Sequence, residues 1–102
     1  MSTFIAVAKT TDVQPGQMKS FQANGRAILI ANWQGTYFAT QDLCTHDGGI
    51  LGDGELIDGE IECPRHGAHF DLKTGRPTMP AVLPIKTFFV KVEGDEILVA
   101  LE

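Results

Sequence analysis

Two short segments hold both cysteines and two of the three histidines of this 102-residue chain, Cys44-Thr45-His46 and Cys63-Pro64-Arg65-His66, with about sixteen residues between them. Thiolate and imidazole bind soft and borderline metal ions, so four such ligands in two arms point to a metal centre rather than to packing. Two cysteines are too few for a disulfide scaffold, and a lone bridge would be unusual in a reducing compartment. A cysteine acting as a small buried hydrophobe is the simplest alternative, but it leaves the accompanying histidines unexplained. One tetrahedral zinc would accept two cysteines and two histidines, yet zinc sites more often draw like ligands from each arm. Here each arm supplies one of each kind. That distribution suits two inequivalent metal ions, with the thiolates meeting on one and the imidazoles on the other.

The elements that must hold these arms read as strands. Eleven glycines and five prolines imply frequent turns, and the intervening segments carry β-branched and aromatic residues, which favours an all-β chain. Strands are expected over 4–8, 18–22, 27–32, 36–40, 60–63, 68–71, 85–93 and 96–101. Pro15-Gly16, Asn24-Gly25, Gln34-Gly35, Asp58-Gly59, Thr74-Gly75 and Gly94-Asp95 supply glycine where a reversal needs positive φ. In the 85–92 stretch the apolar face switches, which reads as a bulge or as a strand buried on both sides. No segment keeps helical periodicity over the length a stable helix needs, and residues 10–13 allow one capped turn. Two irregular regions interrupt the strands, a Gly- and Asp-rich stretch over 41–59 and a segment over 78–84 with two prolines, directly after Pro77.

With Cys44-Thr45-His46, Cys63-Pro64-Arg65-His66-Gly67-Ala68-His69-Phe70-Asp71, Thr74-Gly75 and the prolines from Met79-Pro80 to Pro84 in view, the chain resembles the Rieske proteins. Within them it is most similar to the small Rieske-type ferredoxins of bacterial multicomponent ring-hydroxylating dioxygenases, and the likeness spans essentially the whole chain. The resemblance implies one Rieske domain over 1–102, with antiparallel sheets and a smaller cluster-binding subdomain over about 41–70. A proline loop over about 79–84 would form a third wall. It also implies one [2Fe-2S] cluster, with Cys44 and Cys63 on the buried iron and His46 and His66 on the outer iron near the surface. Thiolates stabilise ferric iron more than neutral imidazoles do, so the added electron belongs on the histidine side.

Departures from the respiratory branch sharpen the expectation. The extra cysteines that form a disulfide beside the cluster there align with Gly49 and Arg65, and hydroxyl-bearing Ser and Tyr align with Ala68 and Phe70. Without those hydrogen-bond donors the potential should lie toward the low end of the Rieske range, about −150 mV rather than about +300 mV. His69 reads as a surface or supporting residue and not a ligand. Asp47 and Asp71 read as turn acids, Gly48, Gly49 and Gly67 as positions of close backbone approach or of turn geometry, and Trp33 as a rim residue or an interaction residue. The ring nitrogens of ligating His46 and His66 should release protons at high pH, lowering the potential there.

The resemblance implies a one-electron carrier between a flavin-containing NAD(P)H-dependent reductase and a terminal Rieske oxygenase in aromatic hydrocarbon catabolism. No dinucleotide fingerprint or oxygenase iron site is legible, so the chain is expected to be no enzyme itself. The alternatives are the Rieske-like small subunit of an assimilatory nitrite reductase and a structural zinc module, the last of which would be colourless. Apolar stretches such as 27–31 run no longer than five residues, far short of the roughly 20 a membrane span needs, and the first residues lack a secretion signal. A monomer in the cytoplasm is expected. Thirteen acidic against eight basic residues give a net charge of −5, which argues against nucleic acid and membrane surfaces and allows steering toward basic partners.

Overall fold

The computed structural model describes residues 3–45, 48–64, 67–79 and 81–101. Among these, nine strands follow one another: β1 (Phe4–Lys9), β2 (Met18–Ala23), β3 (Arg26–Trp33), β4 (Thr36–Gln41), β5 (Glu55–Ile57), β6 (Glu60–Glu62), β7 (His69–Asp71), β8 (Thr87–Glu93) and β9 (Glu96–Ala100). The only helical pieces among them are the 3₁₀ turns Thr10–Asp12 and Leu51–Asp53. A six-stranded sheet runs β1-β9-β8-β4-β3-β2, and a three-stranded sheet runs β5-β6-β7. Every pairing is antiparallel. The fold is thus the expected all-β arrangement of antiparallel sheets.

Turn chemistry sets the register. Asn24-Gly25, Gln34-Gly35 and Asp58-Gly59 have positive φ at both central residues, the geometry of type I′ hairpins, whose twist matches that of the flanking strands. They close β2–β3, β3–β4 and β5–β6. β5 lies in the stretch expected to be irregular. Gly52, Asp53, Gly54, Asp58 and Gly59 surround its three residues, and pairing with β6 defines it as a strand.

β3 is the shared wall. Ile28 and Ile30 join one apolar cluster with Val13, Ala39, Ile97 and Val99, while Leu29 and Ala31 join a second with both cysteines, Leu51, Ile61, Phe70, Leu72 and Ile85. Alternate residues of a strand face opposite sides, so the apolar run 27–31 is a strand buried on both faces. The both-sided or bulged strand expected at 85–92 is corrected accordingly. β8 begins only at Thr87, Phe88 and Val90 pack inward, and Ile85 is a buried anchor of the preceding segment. The register shift lies in β1, between Ala6 and Ala8.

Candidate metal centre

The two cysteine-bearing segments adopt the same backbone closure. In the 44–49 loop the Cys44 amide donates to the Gly49 carbonyl at 2.8 Å, and the Gly48 amide donates back to the Cys44 carbonyl at 2.9 Å. In the 63–68 loop the Cys63 amide donates to the Ala68 carbonyl at 2.7 Å, and the Gly67 amide donates to the Cys63 carbonyl at 3.3 Å. Both loops turn on a glycine of nearly identical conformation, φ 75° at Gly48 and 74° at Gly67, which residues with a Cβ adopt only with strain. The amides of Gly48 and Gly67 therefore serve turn closure, one of the two roles expected for them.

What stands at the base of each loop differs. The first is flanked by the isolated bridge Leu43↔Ile50, two exposed aliphatic residues. The second is flanked by the Glu62↔His69 pair of β6 and β7. Asp42, which sequence reasoning passed over, is buried and fastens the chain beyond the first loop. Its carboxylate accepts from the Gly52 amide at 2.9 Å, and its carbonyl accepts from the Leu51 amide at 2.8 Å.

Cys44 and Cys63 are 3% and 1% exposed, both in the apolar cluster formed with Ala68, Phe70 and Leu72. They are thiols rather than the halves of a disulfide. A thiolate in such surroundings is costly unless a cation compensates it, so the donor set and its dry setting fit iron on the cysteine side. His46 and His66, with Asp47 and Arg65, lie outside the described residues, as does Pro80.

The proline segment is tied to both loops. Thr45 donates its hydroxyl to the Leu83 carbonyl at 2.5 Å. The Thr78 amide donates to the His69 carbonyl at 2.8 Å, and the Thr78 hydroxyl accepts from the His69 amide at 2.8 Å. The Ile85 amide closes the segment on the Gly75 carbonyl at 3.0 Å. Met79, Val82 and Leu83 remain well exposed.

His69 sits on the outward face of the small sheet, its two ring nitrogens each 3.1 Å from a carboxylate, Nδ1 from Glu60 and Nε2 from Glu62. The Glu60 hydrogen bond, reinforced by Glu62, raises its pKa above the usual imidazole range against the opposing effect of burial. Asp71 accepts from the amides of Lys73 and Thr74 at 2.8 and 3.0 Å, the turn role expected of it. Trp33 packs at the rim, where its indole would meet a Cβ placed on Gly59 in the β5–β6 turn. No helix among the described residues is long and apolar enough to cross a membrane.

The family model of the Rieske [2Fe-2S] domain matches residues 3–89. The ferredoxin component of biphenyl 2,3-dioxygenase from Rhodococcus jostii is 42% identical over 97 residues, 94% of this chain and 91% of that one. The ferredoxin of carbazole 1,9a-dioxygenase from Nocardioides aromaticivorans superposes with a TM-score of 0.92 at 36% identity, over 99% of this chain and 100% of that one. A solved complex of reduced oxygenase and oxidised ferredoxin in carbazole 1,9a-dioxygenase includes a match of TM-score 0.89 at 32% identity, covering 98% of this chain and 94% of that one. Two matched loops carrying buried thiols and a likeness that runs almost end to end lead to one assignment: the chain belongs to the Rieske [2Fe-2S] domain family, with a Rieske-type cluster as its cofactor and electron transfer, not catalysis, as its activity.

Proposed function

We propose that the chain takes single electrons from a flavin-containing NAD(P)H-dependent reductase and delivers them to the terminal oxygenase of an aromatic-ring dioxygenase system. Cys44 and Cys63 would hold the inner iron, and His46 and His66 the outer iron. The bound cluster supplies a reversible one-electron couple whose electron resides on the histidine side. The observation that carries this reading is the pair of identically closed loops, each with its cysteine buried in the apolar cluster and its histidine two or three residues further along. The names of the similar ferredoxins, components of biphenyl and carbazole dioxygenases, support the choice of oxygenase class.

Ala68 and Phe70 are both 0% exposed and bring no hydroxyl into the cluster that contains the cysteines, which supports a potential toward about −150 mV. The same reading makes the chain one cytoplasmic monomeric domain that neither nucleic acid nor membrane engages. The proline loop would wall the cluster on its third side.

Electron paramagnetic resonance of the reduced protein, with a redox titration, tests the assignment. A histidine-ligated [2Fe-2S] signal that Cys63→Ser and His66→Ala abolish and that His69→Ala retains is the expected result. A midpoint well above zero, or a signal unaffected by His66→Ala, would overturn it. A chain that purifies only in tight association with a large flavin- and haem-containing partner would instead favour the nitrite reductase subunit.

A further inference from the structure

The Glu62↔His69 pair closes the second ligand loop, since Glu62 immediately precedes Cys63 and His69 immediately follows Ala68. At the corresponding position the first loop has Leu43 and Ile50, which carry no charge. The two loops share their backbone closure and differ in this clasp.

Geometry dictates the protonation state of the clasp. Carboxylates stand 3.1 Å from both ring nitrogens of His69. A neutral imidazole has one N–H and one lone pair, so one of the two carboxylates would face a lone pair, whereas the imidazolium donates to both. The ring is 27% exposed and its partners 37% and 35%, so protons exchange with solvent without any opening of the core. The surrounding charges act in the same direction. β6 contributes Glu60 and Glu62, β7 itself places Asp71 opposite Glu60, and β5 places Glu55 opposite Glu62. The segment after β7 contributes Thr78, whose hydroxyl is occupied by the His69 amide, and the basic residues of the intervening turn, Lys73 and Arg76, are exposed.

We propose that His69 is a redox-linked proton site, an imidazolium that clasps the second ligand loop and binds its proton more tightly when the cluster holds the extra electron. This rests on Cys63 and His66 holding the cluster. Charge and proton balance simply. One electron enters from the reductase, and molecules whose His69 is neutral take one proton from water onto the ring; reoxidation by the acceptor releases both. The same proton governs local stability. Because the folded state binds it more tightly than the unfolded chain does, the clasp contributes fully below the ordinary imidazole range, and its contribution is lost as pH rises through the raised value.

The test is the midpoint potential measured from about pH 5 to about pH 9, a range that brackets imidazole titration, in the wild type, His69→Gln and Glu60→Gln. The wild type should show a downward inflection displaced upward from the ordinary imidazole titration, distinct from any alkaline inflection of the ligand histidines. His69→Gln should lose only the first, and Glu60→Gln should move it to lower pH. An inflection of unchanged position in either variant, or none in the wild type, overturns the proposal. If His69→Gln fails to hold the cluster, Glu60→Gln decides alone. Absence of the histidine-ligated signal in the wild type would refute the ligand assignment instead. The clasp would then be judged by unfolding, where the wild type must lose its advantage over His69→Gln as pH rises through the His69 titration.

Discussion

Replacing Gly75 with alanine should loosen the proline segment, and a second glycine provides the control. A Cβ on Gly75 would overlap the carbonyl oxygen of Ile85 and stand 3.2 Å from the carbonyl carbon, with φ at +76°. Backbone must move to relieve this, and the bond nearest at hand is the Ile85 amide on the Gly75 carbonyl, 3.0 Å long and between two buried residues. Gly25 has almost the same φ, +75°, with nothing within 4 Å of its Cβ position. Both substitutions impose the left-handed strain, about 1 kcal/mol, but only Gly75→Ala adds the loss of a buried hydrogen bond, about 2 kcal/mol. In a domain this size each kcal/mol lowers Tm by about 4 to 8 °C. Gly25→Ala should therefore melt about 4 to 8 °C early and Gly75→Ala about 12 to 24 °C early. The assay is thermal unfolding of the cluster-loaded protein by circular dichroism, with bleaching of the visible absorbance followed below both melting points. Because the segment is tied to both cysteine-bearing loops, Gly75→Ala should also bleach faster. Equal melting of the two variants, or early melting of Gly75→Ala with wild-type bleaching, would refute the reasoning.

Phe70→Tyr brings a hydroxyl into the apolar cluster that contains both cysteines. A hydrogen bond to a cysteine sulfur that favours the reduced state by about 1 kcal/mol raises a one-electron midpoint by about 40 mV, and a redox titration showing no rise would place the ring edge away from the sulfurs. Asn32→Ala removes an amide that donates to the Val13 carbonyl at 3.0 Å and accepts from the Gly35 amide at 2.9 Å. With Val13 fully buried and its carbonyl left only the 3.5 Å contact from the Tyr37 hydroxyl, the change should cost about 2 kcal/mol in urea unfolding, whereas a loss under about 0.5 kcal/mol would show that water or the tyrosine replaces the amide.

Legibility followed the range over which a pattern has to extend. Strands such as β2, β4 and β9 carry β-branched or aromatic residues and are bounded at one end by a glycine turn, so their composition and punctuation agree. The Cys-x-His and Cys-x-x-His arms are likewise local, and ligand chemistry is written in residue type. β5 escaped because it lies inside a Gly- and Asp-rich stretch whose composition reads as loop. The doubly buried strand was sought in β8 and found in β3 because an apolar run announces burial on both sides without saying which second layer covers it. Asp42 and Asn32 are polar residues whose partners lie ten and nineteen positions away, pairings that only the folded chain defines. His69 reads from the sequence as a surface or supporting residue, but its grip on two carboxylates depends on the β6–β7 register, in which a slip of one residue would turn the ring into the core.

That register also explains why a chain this short can position a demanding centre. Glu60, Glu62, His69 and Asp71 occupy one face of the small sheet, while Leu56, Ile61 and Phe70 fill the other against the cysteines. A single alternation thus places the apolar side toward the cysteines and the ionic side in water. The ionic side lies directly across the base of the second loop, so its charge acts on the centre without entering the core. The first loop lacks this second layer. It is fixed instead by Asp42 beneath it and by Thr45 against the proline segment. Each loop is therefore held by a different set of interactions behind the same backbone closure, and perturbations that weaken one should leave the other's closure intact.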